Sequence, residues 1–100
     1  MCGILGFITK NSYKKIISEE DGIQALKYLQ NRGPDSVNSE YVEMEKYNLF
    51  LGHTRLAIQD LSSEYNQPYK SKISQNLLVY NGEIYNYRDF IDYKNYTSDT

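Results

Sequence analysis

The 100-residue sequence predicts an α+β fold, because segments of strand character and of helix character are mixed along it without a repeating unit. Two short runs that are apolar on both faces, residues 49–58 and 77–80, are typical of buried strands. A capped stretch with apolar side chains every third residue, after Ser18, indicates a helix. The length and a hydrophobic content of 40% suit one small domain.

The first half of the chain predicts a strand, a helix and a second strand. A short buried strand is expected over residues 3–8, with a turn at 11–13. The helix begins with the acidic, cap-rich residues 18–21 and ends at Gly33, ahead of Pro34. Residues 41–45 alternate apolar and acidic side chains, which predicts a half-exposed strand.

The second half begins with the central strand, residues 49–58. Its alternation divides the side chains between two faces, with Leu49, Leu51, His53 and Arg55 on one and Phe50, Thr54, Leu56 and Ile58 on the other. Residues 59–74 are polar and are expected to form a loop. Residues 77–80 predict another buried strand, and residues 87–93 a short helix capped by Asn86.

Charge and composition exclude several classes of function. A net charge of −2 gives no indication of a nucleic-acid or membrane-surface partner. No apolar run approaches the roughly 20 residues of a membrane-spanning helix, and a secretory signal is not evident. The single cysteine cannot form an internal disulfide, which favours a reducing, cytoplasmic setting. One His and one Cys do not make a metal-ligand set, so no metal is expected.

Cys2 is the candidate nucleophile. It follows Met1 directly, so removal of Met1 would leave a thiol and a free α-amine on one residue. An α-amine has a reference pKa of about 7.7–8.0 and can therefore serve as the base that activates the thiol. His53 could form a dyad with a cysteine, but a histidine in an apolar strand is more commonly a core residue, and the amine already supplies the base.

Asn81 and Gly82 are candidate oxyanion donors. They follow a predicted buried strand, and together they offer a side-chain amide and a backbone N–H. Two such donors are what a tetrahedral intermediate of acyl transfer requires. The alternative is structural, since Asn-Gly is also a strong signal for a hairpin turn.

The remaining charged residues are compatible with an amino-acid pocket. Arg55, at the end of an apolar strand, could clasp a carboxylate in a bidentate fashion, while Glu83 and Asp99 could face an ammonium group. Alternatively, Arg55 pairs with Asp60 or Glu64, and the two acids are simply solvated. A thiol, oxyanion donors and an amino-acid pocket together indicate attack on the side-chain amide of an amino acid.

Five ordered motifs resemble one family. The sequence is similar to the class II glutamine amidotransferases, the N-terminal-nucleophile glutaminase domains, and most to their asparagine synthetase branch. The motifs are Met-Cys-Gly-Ile from residue 1, Asn-Arg-Gly-Pro-Asp from 31, Gly-His-Thr-Arg-Leu-Ala-Ile from 52, Asn-Gly-Glu-Ile-Tyr-Asn-Tyr from 81 and Thr-Ser-Asp-Thr from 97.

The resemblance implies a four-layer αββα sandwich and a role for each matched position. The implied roles are Cys2 as nucleophile and, through its amine, base; Asn81 and Gly82 as the oxyanion hole; Arg55 as the ligand of the glutamine α-carboxylate; Glu83 and Asp99 as ligands of its α-amino group; and Leu56 to Ile58 as pocket lining through backbone groups.

The resemblance also implies what lies outside these residues. The sequence ends within the Ser-Asp-Thr motif, so residues 1–100 are expected to form the first part of a glutaminase domain. An ATP- and Mg²⁺-using synthetase domain would follow, with aspartate as the ammonia acceptor. A sugar or surface-polysaccharide intermediate is the alternative acceptor. A non-catalytic glutamine-binding remnant, which would not need a processed Cys2, is the rival from another class.

Overall fold

The computed structural model describes residues 2–13, 17–56 and 66–90. In these residues helix and sheet are mixed, which confirms the α+β class. The elements are β1 (Gly3–Lys10), α1 (Glu19–Lys27), β2 (Ser36–Glu43), β3 (Tyr47–Arg55), β4 (Tyr69–Lys70) and β5 (Leu77–Leu78). β1, β3 and β2 form an antiparallel sheet in that order, and β4 pairs with β5 in a second, two-stranded sheet.

β3 lies at the centre of the larger sheet, as its two-sided apolar sequence predicts. Gly3 of β1 is opposite Thr54, and Ser36 of β2 is opposite Arg55. The C-terminal end of β3 therefore meets both the start of β1 and the start of β2. The predicted alternation is confirmed in the described part of this strand, because Phe50 and Thr54 contact the α1 side while His53 points the other way.

α1 packs on one face of this sheet through its two buried residues, Gly22 and Leu26. Leu26 is 2% exposed and Phe50 is completely buried. A Cβ at Gly22 would lie 2.6 Å from the Phe50 ring, so the glycine lets the helix approach the sheet. The predicted N-terminus is confirmed by a capping box, in which Ser18 Oγ accepts from the Asp21 amide and Asp21 accepts from the Ser18 amide.

The helix does not continue to Gly33, contrary to the prediction. It ends at Lys27 and is followed by a 3-10 turn at Gln30–Arg32. Gly33 is needed for a different reason, which is its contact with the β3 backbone. A Cβ at this position would lie 2.6 Å from the carbonyl carbon of Arg55 and closer still to the carbonyl group of Thr54.

Several strand boundaries also differ from the predictions. β2 begins at Ser36 rather than at residue 41, because pairing with β3 holds a polar segment that has no apolar alternation to reveal it. β3 ends at Arg55, and residues 57 and 58 of the predicted strand lie outside the described residues. β4 lies within the predicted loop, and β5 is two residues shorter than expected.

The predicted helix at residues 87–93 is a 3-10 turn at Tyr87–Asp89 in the described part. Asn86 precedes it but its side chain makes no capping hydrogen bond, so the expected cap is wrong. Residues 91–93 lie outside the described residues. Within the described ranges, no helix is both long and apolar enough to cross a membrane.

The face of the larger sheet opposite α1 carries apolar side chains that are not fully covered. Ile4 and Ile8 of β1 are 41% and 66% exposed. Leu49 and Leu51 of β3 are half-buried. α1 and the larger sheet thus form one layer of helix on one layer of sheet.

Candidate active site

Cys2 lies directly before β1 and is held at the end of β3. The amide of Leu56 donates a hydrogen bond to Cys2 Sγ at 3.4 Å, and the carbonyl oxygen of Leu56 lies 3.9 Å from the same sulfur. The next residue is anchored more firmly, because the Gly3 amide donates to Thr54 Oγ1 at 3.0 Å. The Cys2 sulfur therefore lies beside a backbone N–H group that follows β3, although Cys2 itself directly precedes β1.

A pocket of about 360 Å³ opens beside Cys2 and is lined by Cys2, Gly3, Ile4, Leu29, Arg32 and Asn81. Arg32 Nε donates to the Cys2 carbonyl oxygen at 3.4 Å. The sequence analysis included Arg32 in one of the five motifs but gave it no role at the site. The signal was present in the Arg-Gly-Pro-Asp motif, since Gly33 holds this turn against β3 and brings Arg32 to the nucleophile.

Thr54 connects the elements that surround Cys2. Its side chain is fully buried, accepts from the Gly3 amide and donates to the Leu29 carbonyl oxygen at 3.1 Å. One hydroxyl thus joins the start of β1, the end of β3 and the turn that carries Arg32. A threonine in the middle of an apolar run was the visible sign of this buried polar role.

Asn81, a predicted oxyanion donor, lines the same pocket as Cys2. Gly82 and Glu83 follow it and are exposed, and a Cβ at Gly82 would have no neighbouring atom within 4 Å. No strand follows Asn81 in the described segment that ends at Phe90, so the hairpin alternative is wrong for these residues. The prediction that Gly82 supplies the second donor is not tested by this geometry.

His53 and Gln67 contact the residue that precedes Asn81. His53 is 1% exposed, and its Nε2 lies 3.3 Å from the Tyr80 carbonyl oxygen. Because a carbonyl oxygen can only accept, Nε2 carries the proton and donates. Gln67 is also buried, and its Oε1 accepts from the Tyr80 amide at 2.7 Å. The backbone N–H and C=O groups of Tyr80 are therefore both hydrogen-bonded to buried side chains.

The environment of His53 keeps its imidazole neutral. Burial lowers the pKa of His53 below its ordinary value and outweighs the hydrogen bond to Tyr80, which raises it, while the positive charge of Arg55 lowers it further. His53 Nδ1 is buried and has no hydrogen-bond partner among the residues that the structure describes. His53 is not among the residues that line the Cys2 pocket, which agrees with its expected place in the core rather than at the nucleophile.

Arg55 is 7% exposed at the end of β3. Its Nη1 donates to Asn66 Oδ1 at 2.9 Å, an oxygen that also accepts from Ser36 Oγ. Arg55 is not among the residues lining the Cys2 pocket. Its predicted contact with a substrate carboxylate remains a prediction, and the alternative partners Asp60 and Glu64 lie outside the described residues.

Two further predicted site residues, Ile58 and Asp99, lie outside the described residues. The Leu56 backbone contacts Cys2 Sγ, but Leu56 is not among the residues that line the Cys2 pocket, so its predicted part in lining the substrate pocket remains a prediction. Among the residues that the structure describes, no group of three or more His, Cys, Asp or Glu side chains is placed to hold a metal ion.

Comparison with known proteins identifies close sequence relatives. The chain is 41% identical to a probable glutamine-hydrolysing asparagine synthetase of Acanthamoeba polyphaga mimivirus, over 92% of this chain and 16% of that protein. It is 34% identical to a putative glutamine-hydrolysing asparagine synthetase of Methanocaldococcus jannaschii, over 100% of this chain and 22% of the relative. A glutamine–fructose-6-phosphate aminotransferase of Sulfurisphaera tokodaii is 32% identical over 89% of this chain and 19% of its own length.

The chain thus spans less than a quarter of the length of each of these relatives. No solved structure matched the chain. A family model described as a glutamine amidotransferase domain matches residues 1–99, which is nearly the whole chain. The protein therefore belongs to the glutamine amidotransferase domain family.

Proposed function

We propose that this chain provides the glutaminase site of a glutamine-dependent amidotransferase, with Cys2 as the nucleophile. The observation that supports this function best is the pocket that Cys2 shares with Asn81. A nucleophile and an amide donor that line one pocket can act on the carbon and on the oxygen of a carbonyl group. The Leu56 amide, 3.4 Å from Sγ, adds an N–H group next to the sulfur.

The proposed reaction has two steps. In the first, the α-amine of Cys2, free once Met1 is removed, takes the thiol proton as the sulfur attacks the side-chain amide carbon of glutamine. The carbon–nitrogen bond then breaks, and the amine returns the proton to the departing ammonia. In the second step, water adds to the γ-glutamyl thioester and the carbon–sulfur bond breaks. Glutamate is released, and the thiol is regenerated.

The same proposal assigns the remaining residues. Asn81 and the Gly82 amide stabilise the oxyanion, and Arg55 binds the α-carboxylate of glutamine. The α-amino group is bound by Glu83 and Asp99, while Leu56 and Ile58 line the pocket through backbone groups. The burial of Arg55 supports its assignment, because a desolvated guanidinium forms stronger hydrogen bonds than an exposed one.

We further propose that the glutaminase domain is completed as a four-layer αββα sandwich, in which a second sheet covers the face carrying Ile4 and Ile8. The ammonia acceptor in the complete protein is aspartate, activated by ATP and Mg²⁺ in another domain. The greater similarity to two asparagine synthetases supports aspartate over a sugar acceptor, whereas the 32% identity to an aminotransferase of fructose-6-phosphate keeps the sugar as the second candidate. No residue described here is assigned to the ATP or the metal.

The proposal is tested by comparing a protein in which the Cys2 nitrogen is a free amine with one in which it is an amide. The complete gene product should release glutamate and ammonia from glutamine when intact-mass analysis shows that it begins at Cys2. The matched control is the same protein with one retained residue before Cys2, which keeps the thiol but turns the amine into an amide. This control should be inactive and should not be labelled at Cys2 by an electrophilic glutamine analogue. Full activity in the control would contradict the mechanism.

A further inference from the structure

The segment that carries Asn81 is connected to the central strand by a buried polar chain. His53, on β3, donates through Nε2 to the Tyr80 carbonyl oxygen at 3.3 Å, and Gln67 accepts from the Tyr80 amide at 2.7 Å. His53 and Gln67 are 1% and 5% exposed. Asn81 itself is exposed, and its segment has two strands of only two residues each, so packing alone holds it weakly.

This arrangement assigns a task to a histidine that the chemistry at Cys2 does not use. The peptide plane between Tyr80 and Asn81 contains the carbonyl group that His53 binds. Fixing that plane restricts the backbone of Asn81 and thereby the direction of its side chain. An oxyanion donor must lie within a few tenths of an ångström of its working position, because misplacement alone lowers the rate.

We infer that His53, together with Gln67, is a positioning residue that sets the orientation of Asn81 for oxyanion stabilisation. This inference rests on the proposed function of Cys2 and Asn81. His53 acts as a neutral hydrogen-bond donor rather than as a proton-transfer group. Its effect should therefore be on kcat, because the ground-state amide of glutamine gains less from the oxyanion donor than the tetrahedral intermediate does.

The test is steady-state glutaminase kinetics of the complete gene product processed to begin at Cys2. His53→Leu removes the donor, and we expect kcat to fall by about tenfold with a nearly unchanged KM, less than the ~10²–10³-fold expected for direct loss of an oxyanion donor. His53→Gln places an amide N–H near the position of Nε2 and should restore most of kcat. The matched control is Asn48→Leu, which removes an equally buried polar side chain from the far end of β3.

A double-mutant cycle separates positioning from general stability. In an Asn81→Ala background, His53→Leu should lower kcat by less than about twofold, because the group it positions is already gone. Gln67→Met, which removes the acceptor, should resemble His53→Leu, whereas Gln67→Glu keeps an acceptor oxygen for the Tyr80 amide and should retain more of kcat than Gln67→Met. The Gln67 pair also decides the question if His53→Leu does not fold.

Three results would overturn the inference. These are an equal loss of kcat from His53→Leu in both backgrounds, no recovery in His53→Gln, or the same kinetics for Gln67→Met and the wild type. An inactive wild-type enzyme would instead contradict the proposed function itself. An active wild type that is impaired by Asn81→Ala but not by His53→Leu would contradict only the role of His53.

Discussion

The two sides of the candidate site are held in different ways. On the sheet side, Gly3, Gly33 and Thr54 place Cys2 and Arg32 through backbone contacts and fully buried atoms. On the other side, the described segment 66–90 contains two strands of two residues each, and Asn81 to Asn86 are exposed. This segment is joined to the larger sheet by polar side chains, such as His53 to Tyr80 and Arg55 to Asn66.

The difference separates the tasks of the two regions. A nucleophile must be fixed relative to the pocket that receives the substrate, and a strand that is paired along eight residues provides a rigid support for it. The segment that carries the proposed oxyanion donor has little strand pairing of its own, so hydrogen bonds from buried side chains such as His53 hold it in position. We therefore expect Gly33 on the sheet side to matter for stability and Arg55 for substrate binding, whereas Asn81 in the 66–90 segment should affect the chemical step.

The largest expected effects distinguish the roles of Asn81 and Arg55. Asn81→Ala should lower kcat by about 10²–10³-fold with a smaller change in KM. Arg55→Ala should mainly weaken glutamine binding, by about 2–3 kcal/mol, as expected for a lost charge-assisted hydrogen bond. The measurement is steady-state glutaminase activity over a range of glutamine concentrations.

The control for Arg55 is Arg55→Lys, which keeps the charge but loses the planar fork, and it should recover little of the binding. The opposite pattern, in which Asn81→Ala affects KM and Arg55→Ala affects kcat, would show that binding and catalysis are exchanged between the two regions.

A matched pair of glycines tests the difference in packing. Gly33→Ala should cost about 1–3 kcal/mol, because its Cβ would collide with the β3 backbone, which cannot move aside as a side chain does. Gly82→Ala meets no atom within 4 Å and should change stability by less than about 0.5 kcal/mol. Native-state hydrogen exchange of peptides covering β3 should reveal the first effect locally. Equal protection in both variants would contradict the close contact at Gly33.

The smallest expected effect is the pH dependence that His53 gives to stability. Its pKa is lowered in the fold, so below about pH 6.5 the unfolded chain binds more protons than the folded one. Stability should therefore be complete above pH 6.5 and should decrease as the pH falls toward the lowered pKa. His53→Gln should remove this part of the slope, measured by thermal unfolding between pH 7.5 and 5.5. Parallel curves for the two proteins would refute it.

Local patterns in the sequence predicted much of the sheet side. The alternation of residues 49–58 placed Phe50 and His53 on opposite faces, and the capping signals located the start of α1. The early start of β2 was not predictable, because its polar residues are held by pairing with β3, a long-range effect. β4, with two residues in a polar stretch, likewise has no local signature.

The candidate site was predictable only where one residue carries the chemistry. Cys2 and Asn81 were identified from their own functional groups, and the structure places them around one pocket. Arg32 and Gln67 were missed, because their contacts depend on how the chain folds back on itself. Gly33 is an example. Its place in the sequence predicted the end of a helix, but it did not predict the close contact with the β3 backbone.

The contact between Cys2 and Leu56 has a consequence for the order of events during biosynthesis. The two residues are 54 positions apart, so Cys2 leaves the ribosome before Leu56, with which it makes this contact, has been synthesised. During this interval the N-terminus is open to a processing enzyme. Once β1 pairs with β3, Gly3 is buried and Arg32 Nε donates to the Cys2 carbonyl oxygen. The pocket beside Cys2 is thus assembled only after the chain has been synthesised as far as Asn81, well after the N-terminus itself.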